Sequence, residues 1–397
     1  MMRAYMRCRW DGHKNRLEDF LYAIIKWYVR RNSMSKKRVA VAMSGGVDSS
    51  LVTARLQAQG YDVIGVTMLL FDTVKNNKVV ESAAITDAKR VADQLAVPHY
   101  VLDLRQSFEE KIMQYFTQSY ARGITPNPCV MCNDWIKFGS LYEFSRDLDA
   151  DFLATGHYAR VLYNQESDLY ELRRGADLKK DQSYVLYHLN QKMLPHVMFP
   201  LGEMHKEDTR VLAKELNLPV YNKPESQDIC FIPDNDHIRF LKERIPEQFV
   251  PGDIVDLDGN ILGTHQGLPA YTIGQRKGLG VAAEHPLYVV AIDAENNRVI
   301  VGPNASIFQR EVWALDPSFT EWETCTEPFT AQAKIRYAAP AADCTVYPVK
   351  DGVHVVFKEP QRAVTPGQSI VFYDGDRVLG GAIIGPNHWQ GENIRVH

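Results

Sequence analysis

Strand-like and helix-like patterns alternate along the first half of the chain. Short apolar runs over 38–43, 62–70, 99–104 and 151–156 are typical of buried strands. Apolar residues at helical spacing predict helices from the first run to about residue 60, and over 81–97, 106–121 and 206–218. This alternation predicts a parallel sheet covered on both faces, with ligands at the carboxyl ends of its strands.

The pattern changes after Pro251. Short β-type runs follow one another there, separated by turn sequences at 258–260, 293–296, 351–352 and 374–375. The C-terminal part is therefore expected to be all-β and barrel-like.

Composition narrows the class of protein. A chain of 397 residues with 45% hydrophobic and 24% charged residues is an ordinary folded protein of two or three domains. The net charge of −4 argues against a globally basic nucleic-acid binder and leaves room for a local basic face. Six cysteines are too few for a disulfide scaffold, and no apolar run approaches the length that crosses a bilayer.

Residues 1–33 form an extension before the organised sequence. Its apolar stretch 20–29 lacks the layout of a signal peptide, and Asp11, Glu18 and Asp19 argue against a mitochondrial transit peptide. We expect a weakly amphipathic helix; the alternative is that translation starts at Met34. A cytoplasmic location is expected.

A glycine turn joins the first strand to the first helix. In Ser44-Gly-Gly-Val-Asp-Ser-Ser50, two glycines let backbone amides approach an anion at a helix N-terminus. Asp48 could meet a magnesium-bound phosphate. The sequence is not a Walker motif, and an ordinary capped turn is the less favoured interpretation.

Two cysteines stand in loops far apart in the chain. Cys132 precedes a helix predicted to begin near Asp134, where a thiolate is favoured and its pKa lowered. Cys230 lies within 226–232. A zinc site is weakly supported by one Cys-x-x-Cys, and Cys230 taken alone is better interpreted as a small buried hydrophobic residue.

Considered together, these segments resemble the tRNA-specific 2-thiouridylase family, from Lys36 to nearly the end. The glycine turn itself resembles the ATP loop of pyrophosphatase-type enzymes, which cleave ATP to AMP and pyrophosphate. The matching segments are Ala154-Thr-Gly-His-Tyr158, Lys180-Asp-Gln-Ser-Tyr184, Ser226-Gln-Asp-Ile-Cys230, the run 271–280 and Thr365-Pro-Gly-Gln368.

The resemblance implies a role for particular residues. Cys132 would be the nucleophile, and Cys230 would carry the incoming sulfur as a persulfide. ATP would be held by Ala42, Met43, Ser44, Gly45, Gly46, Val47, Asp48, Ser49, Met68 and Gly156. The target base would be bordered by Asn127, Pro128 and Cys129, and tRNA would contact His157, Lys180, Asp181, Gln182, Arg336, Tyr337 and Gln368.

The resemblance also implies an architecture and partners. An α/β ATP-pyrophosphatase domain over 34–238, a small central domain over 239–311 and a C-terminal β-barrel over 312–397 are expected. The expected partners are tRNA, ATP with Mg²⁺, and a persulfide carrier or cysteine desulfurase. No resident metal and no membrane attachment are expected, and the chain is expected to be a monomer.

One departure from the family pattern is Cys129, where members often have an aspartate that is a candidate general acid/base. A thiol has a reference pKa of about 8.5 against about 3.9 for aspartate, so the role is not simply inherited. An alternative is that Cys129, Cys132 and Cys230 hold an iron–sulfur cluster. Two rival functions are another adenylating enzyme and a non-catalytic tRNA-binding or sulfur-carrier protein.

Overall fold

The computed structural model describes residues 36–75, 78–225 and 229–386. The expectations for residues 1–33, for Ser226-Gln-Asp228 and for the end of the chain lie outside these ranges. Among the described residues, no helix combines the length and apolar character needed to span a membrane.

A five-stranded parallel sheet forms the centre of the N-terminal domain. Its strands are β1 (Arg38–Ala42), β2 (Asp62–Leu69), β5 (His99–Asp103), β6 (Phe152–Ala154) and β9 (Val197–Met198). The spatial order is β5-β2-β1-β6-β9, with every neighbouring pair parallel. All four predicted strands are confirmed, and the order reverses between β1 and β6, where open α/β sheets bind ligands. A small hairpin, β3 (Thr73–Lys75) with β4 (Lys78–Val80), follows β2.

Helices cover both faces of this sheet, because their apolar sides pack on its two buried surfaces. The predicted helices are confirmed, with ends that differ by one to three residues. The helical segments are Val47–Ala58, Ala83–Leu95, Arg105–Phe108 continuing through Glu109–Met113 into Gln114–Ala121, Pro128–Met131 continuing through Cys132–Ser140 into Leu141–Asp147, Lys206–Glu215 and His237–Arg244. Short 3₁₀ turns occupy Ser183–Leu186, Leu194–His196, Pro246–Gln248, Leu268–Ala270 and Asn304–Ile307.

A four-stranded sheet follows as a small central unit. It contains β10 (Gly252–Val255), β11 (Ile261–His265), β12 (Tyr288–Asp293) and β13 (Arg298–Gly302), in the order β11-β10-β13-β12. Its own core includes Ile254, Val289 and Val299.

Six antiparallel strands close into a barrel at the C-terminal end. They are β14 (Phe308–Phe319), β15 (Phe329–Lys334), β16 (Ala342–Val349), β17 (Gly352–Arg362), β18 (Ser369–Asp374) and β19 (Arg377–Ile384). The order is β14-β17-β16-β15-β18-β19, and β19 pairs back onto β14 to complete the closure. The expected barrel is confirmed, and the turn sequences at 351–352 and 374–375 join β16 to β17 and β18 to β19.

The barrel is joined to the N-terminal domain by a hairpin that the sequence did not indicate. Strands β7 (Ala159–Asn164) and β8 (Leu169–Arg174) leave the parallel sheet after β6. β8 extends the barrel sheet beside β19, through the pair Arg173 and Arg377. Asp376 adds ion pairs to Arg160 and Arg173, with N–O distances of 2.7 and 2.8 Å.

The barrel also supports the loop that precedes the cysteine helix. The Gln368 side-chain amide donates to the carbonyls of Thr125 and Pro126, at 3.0 and 3.2 Å. Thr125 N donates to the Pro366 carbonyl at 3.1 Å. Gly367 has a φ of +89°, and a Cβ there would meet Ile124 Cγ2 at 2.3 Å and Thr125 O at 2.9 Å.

We predict that Gly367→Ala loosens this contact and lowers both stability and activity. The left-handed conformation and the backbone clash together cost about 2 kcal/mol or more. Gly375→Ala is the matched control, because Gly375 has a φ of +61° and no atom within 4 Å of a Cβ. Thermal unfolding of both variants measures the difference. Equal losses of stability would contradict a specific role for the contact at Gly367.

Candidate active site

The reversal point of the parallel sheet brings two loops together. Residues Val39 to Val41 of β1 pair with Phe152 to Ala154 of β6, so the segments after both strands leave the same edge side by side. A Cβ on Gly156 would lie 3.0 Å from Asp48 Cβ and 3.1 Å from Ser49 N. The absence of a side chain at Gly156 therefore allows the loop after β6 to touch the glycine turn.

The glycine turn has the tight geometry expected of an anion-binding loop. Gly45 has a φ of +67°, and a Cβ there would approach the Ala84 carbonyl to 2.4 Å, so only glycine fits. Ser49 Oγ accepts from Ser44 N at 3.1 Å, and Ser50 Oγ donates to the Gly46 carbonyl at 2.8 Å. The helix Val47–Ala58 starts directly after the turn and directs its N-terminus at this edge.

A buried lysine holds the carboxylate of Asp48. Lys206 is 7% exposed, and its Nζ lies 2.7 Å from both Asp48 oxygens and 3.3 Å from Glu225. The Tyr158 hydroxyl also donates to Asp48 at 3.0 Å. Although burial raises the pKa of Glu225, hydrogen bonds and charge from Lys180 and Lys206 outweigh it and lower that pKa to about 2.

A second lysine fixes the other side of the turn. Lys223 Nζ donates to the Gly45 carbonyl at 3.0 Å and to Asp87 at 2.7 Å. Lys180, Arg210 and Glu225 complete a charged cluster, with ion pairs of 2.8 and 3.3 Å to Glu225. Sequence reasoning missed Lys206, Lys223 and Arg210, because lysines and arginines in helices and loops have many other roles.

The remaining residues expected at ATP lie at the same sheet edge. Ala42 ends β1, and Met43 N donates to the Val66 carbonyl at 2.8 Å, which continues the sheet pairing beyond the strand. Met68 lies near the end of the adjacent strand β2 and is half-buried against the core. Val47 is buried at the start of the first helix.

The cysteine helix starts earlier than predicted. It begins at Pro128, with Asn127 as its cap accepting from Val130 N at 3.3 Å, and not near Asp134. Proline at the first helical position suits this start, because its missing amide hydrogen is not needed there. Cys132 therefore lies one turn inside the helix rather than ahead of it.

The expected lowering of the Cys132 pKa is wrong. Cys132 is 9% exposed and belongs to the apolar core, and burial raises the pKa of its thiol to about 11, with Lys137 acting in the opposite direction. Burial also raises the pKa of Cys129. Desolvation of the thiolate outweighs the opposing charge of Lys137.

Three thiols, two from the cysteine helix and one from the loop at Cys230, lie close enough to interact electrostatically. Cys129 and Cys230 are exposed residues, and both interact electrostatically with Cys132. Enough protein surrounds the Cys230 thiol for burial to raise its pKa to about 12, with further contributions from Cys132 and Cys129. Cys129, Cys132 and Cys230 are all free thiols.

Two alternative interpretations of these cysteines are tested by this geometry. Cys230 is not a buried hydrophobic residue: Ile229 and Phe231 pack into the core and leave Cys230 at the surface between them. Within the described ranges, no three His, Cys, Asp or Glu side chains are arranged to hold a metal ion.

A histidine next to Gly156 contacts a lysine of the cysteine helix. His157, next to Gly156, is 7% exposed, with Nδ1 2.7 Å from Thr155 Oγ1 and Nε2 3.5 Å from Lys137 Nζ. Burial, followed by the charge of Lys137, lowers the pKa of His157 well below its usual value. Sequence reasoning missed Lys137, although its position five residues after Cys132 was a usable signal.

The residues expected to contact tRNA surround this site, mostly engaged in contacts within the protein. The Tyr337 hydroxyl donates to the Asp181 carbonyl at 2.9 Å, and Arg336 donates to the carbonyls of Arg362 and Ala363 at 3.3 and 3.5 Å. Gln182 accepts from Tyr158 N at 3.0 Å. Tyr337 is 44% exposed, whereas Asp181 is buried. Their contacts with tRNA stay predictions.

Comparison with known proteins follows the same division of the chain. Residues 37–234 match the model described as tRNA methyl transferase HUP domain, residues 238–303 its PRC-barrel domain, and residues 309–384 the aminomethyltransferase beta-barrel domain. The tRNA-specific 2-thiouridylase MnmA of Carboxydothermus hydrogenoformans is 52% identical, covering 88% of this chain and 98% of that protein. The chain belongs to the tRNA-specific 2-thiouridylase family.

A second member of the tRNA-specific 2-thiouridylase family aligns over the same share of this chain. The protein of the same name from Acetivibrio thermocellus is 48% identical, over 88% of this chain and all of that protein. Among solved structures, the U34-tRNA thiolase NcsA of Methanococcus maripaludis, described with its 4Fe-4S cluster, is 18% identical with a TM-score of 0.35. It covers 58% of this chain and 75% of that one, a likeness too distant to carry an argument.

The raised pKa of Cys230 predicts slow and steeply pH-dependent alkylation in the free protein. Iodoacetamide reacts with the thiolate, so below a pKa of about 12 the rate should rise about tenfold per pH unit from pH 7 to pH 10. In the urea-unfolded chain the rate should level off near pH 9, close to the reference pKa of about 8.5. Mass spectrometry of the Cys230 peptide measures both curves. A folded-state curve that levels off by pH 9 would refute the raised pKa of this thiol.

Proposed function

We propose that this chain is a sulfurtransferase that replaces the C2 oxygen of the wobble uridine of tRNA with sulfur, converting ATP to AMP and pyrophosphate. The observation that carries the proposal is that Cys132 and Cys230, from separate segments, lie close enough to interact electrostatically, in the domain that contains the glycine turn at the start of the helix Val47–Ala58. Relatives of 52% and 48% identity bear the name tRNA-specific 2-thiouridylase. The cysteines give the reason why such a site would transfer sulfur.

The first step would activate the uridine. The glycine turn and the N-terminus of the helix Val47–Ala58 provide positive potential for the phosphates. Lys206 and Lys223 add two charges at this turn, one on each side of it. The O2 atom of uridine would attack the α-phosphate of ATP, and pyrophosphate would leave. The AMP now attached to O2 would make this oxygen a leaving group.

Mg²⁺ fits this arrangement only after a rearrangement. Asp48 is the acidic residue of the loop, and Lys206 holds both of its oxygens at 2.7 Å. When Mg²⁺ is bound with ATP, it would neutralise phosphate charge. Asp48 would hold the ion, and Lys206 would keep its ion pair with Glu225, 3.3 Å away.

The second step would transfer sulfur between the two thiols. A persulfide carrier or cysteine desulfurase would give its outer sulfur to Cys230, forming Cys230–S–SH. Attack of Cys132 on the inner sulfur would break the persulfide S–S bond, form a Cys132–Cys230 disulfide and release hydrosulfide. Hydrosulfide would attack C2 of the activated uridine, AMP would leave with the C2–O bond electrons, and an external thiol would reduce the disulfide.

Binding of tRNA would use the surface around the thiols. Lys180, Tyr337 and Gln368 border the site from the catalytic domain and the barrel. Asn127, Pro128 and Cys129 form the first turn of the cysteine helix, against which the extruded base would rest. A monomer located in the cytoplasm is in keeping with this function.

We predict that Cys230→Ser abolishes 2-thiouridine formation and retains tRNA-dependent release of pyrophosphate from ATP. Serine is nearly isosteric and cannot carry a persulfide, while adenylation needs only the ATP loop. Nucleoside mass spectrometry measures the first activity and a pyrophosphate assay the second. Cys344→Ser is the control, because Cys344 is buried in the barrel core away from this site. Normal 2-thiouridine levels in Cys230→Ser would remove the sulfur-carrying role.

The rival functions give different results in the same assays. Another adenylating enzyme would not lose its product in Cys230→Ser, and a binding protein would release no pyrophosphate. We expect protein purified anaerobically to be colourless, free of iron and active in thiolation. Activity that depends on bound iron would instead establish the iron–sulfur cluster alternative at Cys129, Cys132 and Cys230.

A further inference from the structure

Lys137 lies on the same helical face as the nucleophilic cysteine. The segment Cys132–Ser140 is a π-helix, whose backbone hydrogen bonds join residues five apart, as in Leu141 N to the Ile136 carbonyl. Residues five apart in such a segment lie above one another, so Lys137 stands one turn from Cys132. The nine-residue length of this π-helical segment is unusual, since most are single turns near functional sites.

His157 contacts the Lys137 ammonium group as an uncharged partner, so it does not neutralise the positive charge. The rings of Phe138 and Phe199 pack on the imidazole, with centroids 6.1 and 5.9 Å away. A neutral imidazole can donate from Nδ1 to Thr155 Oγ1, which leaves Nε2 to accept from the Lys137 ammonium. The lowered pKa of His157 keeps the imidazole in this neutral form. The ammonium group is thus anchored on one side by an uncharged partner.

The thiols need such a cation. Among the described residues, Lys137 is a cation whose charge lowers the pKa of both Cys132 and Cys230. Cys129 raises the pKa of Cys132, both of these cysteines raise that of Cys230, and a backbone hydrogen bond at Cys230 also lowers the pKa of Cys230. One nearby opposite charge shifts a pKa by about 1 to 3 units, so removing it would leave a far smaller thiolate fraction.

We propose that Lys137 is a positioning residue for sulfur transfer, which stabilises the Cys132 thiolate and the departing hydrosulfide, and that His157 holds its ammonium group in place. This rests on the proposed function and identifies the cation that balances the negative charge during its second step, the transfer of sulfur. The Cys132 thiolate attacks the inner persulfide sulfur, and the negative charge moves to the released hydrosulfide. The charge of Lys137 acts on both Cys132 and Cys230, so the same cation would stabilise the negative charge before and after the S–S bond breaks. His157 thereby has a role in the RNA-free protein.

The test compares Lys137→Met, Lys137→Arg and the exposed control Lys111→Met. Alkylation of Cys129, Cys132 and Cys230 is followed by peptide mass spectrometry in RNA-free protein from pH 7 to pH 10.5. Lys137→Met should slow alkylation of Cys132 and Cys230 about tenfold at each pH below the thiol pKa values. Lys137→Arg, which keeps the charge, and Lys111→Met should stay close to wild type.

The same variants separate this proposal from the proposed function. Single-turnover thiolation by Lys137→Met should fall at pH 7.5 and recover partly at pH 9, with tRNA-dependent pyrophosphate release retained. His157→Phe, which keeps a buried ring and loses the acceptor, should slow alkylation in the same direction. If folded Lys137→Met is alkylated at the wild-type rate, the role of Lys137 is wrong. If His157→Phe is alkylated at the wild-type rate, the role of His157 is wrong. Absence of thiolation by the wild type would overturn only the function.

Discussion

The parallel pairing of β1 with β6 is the constraint on which the site depends. It makes two loops from distant parts of the chain leave the sheet next to each other, one with the glycine turn and one with Gly156 and His157. The contact between them is tight because Gly156, which packs against Asp48 and Ser49, has no side chain. From there, His157 reaches Lys137, whose charge acts on the Cys132 thiol. A shift of β6 by one residue along β1 would move Gly156 and His157 and break their contacts with the glycine turn and with Lys137.

Local patterns in the sequence were sufficient for most of the fold. Buried runs and helical spacing identified the four principal strands of the parallel sheet, and turn sequences identified hairpins of the barrel. The hairpin β7–β8 was missed, because its addition to the barrel depends on residues some 200 positions away, such as Arg377 and Asp376. The helix start at Pro128 was missed because the helix was predicted to begin near Asp134, although proline is favoured at a first helical position.

The site was predicted less completely than the fold. Motifs located the ATP loop and the cysteines, but a motif does not report burial, and burial reverses the expected direction of the Cys132 pKa. Lys206 and Lys137 act through their position in three dimensions, which their sequence neighbours do not reveal. The residues expected to contact RNA are instead engaged with carbonyls and carboxylates of the protein, so free-protein geometry describes their resting contacts.

The support of the Thr125–Pro126 carbonyls by Gln368 has a consequence for synthesis on the ribosome. The loop before the cysteine helix emerges more than 240 residues before its brace, since the hydrogen bonds join positions 243 and 242 residues apart. β19, which closes the barrel against β14, ends at Ile384 and emerges later still. A chain truncated by a premature stop codon before Gly367 would carry the ATP loop and all three thiols, yet leave the cysteine loop unbraced. Synthesis of the chain through the barrel is thus a condition for assembling the site, even though the glycine turn and all three thiols precede residue 231.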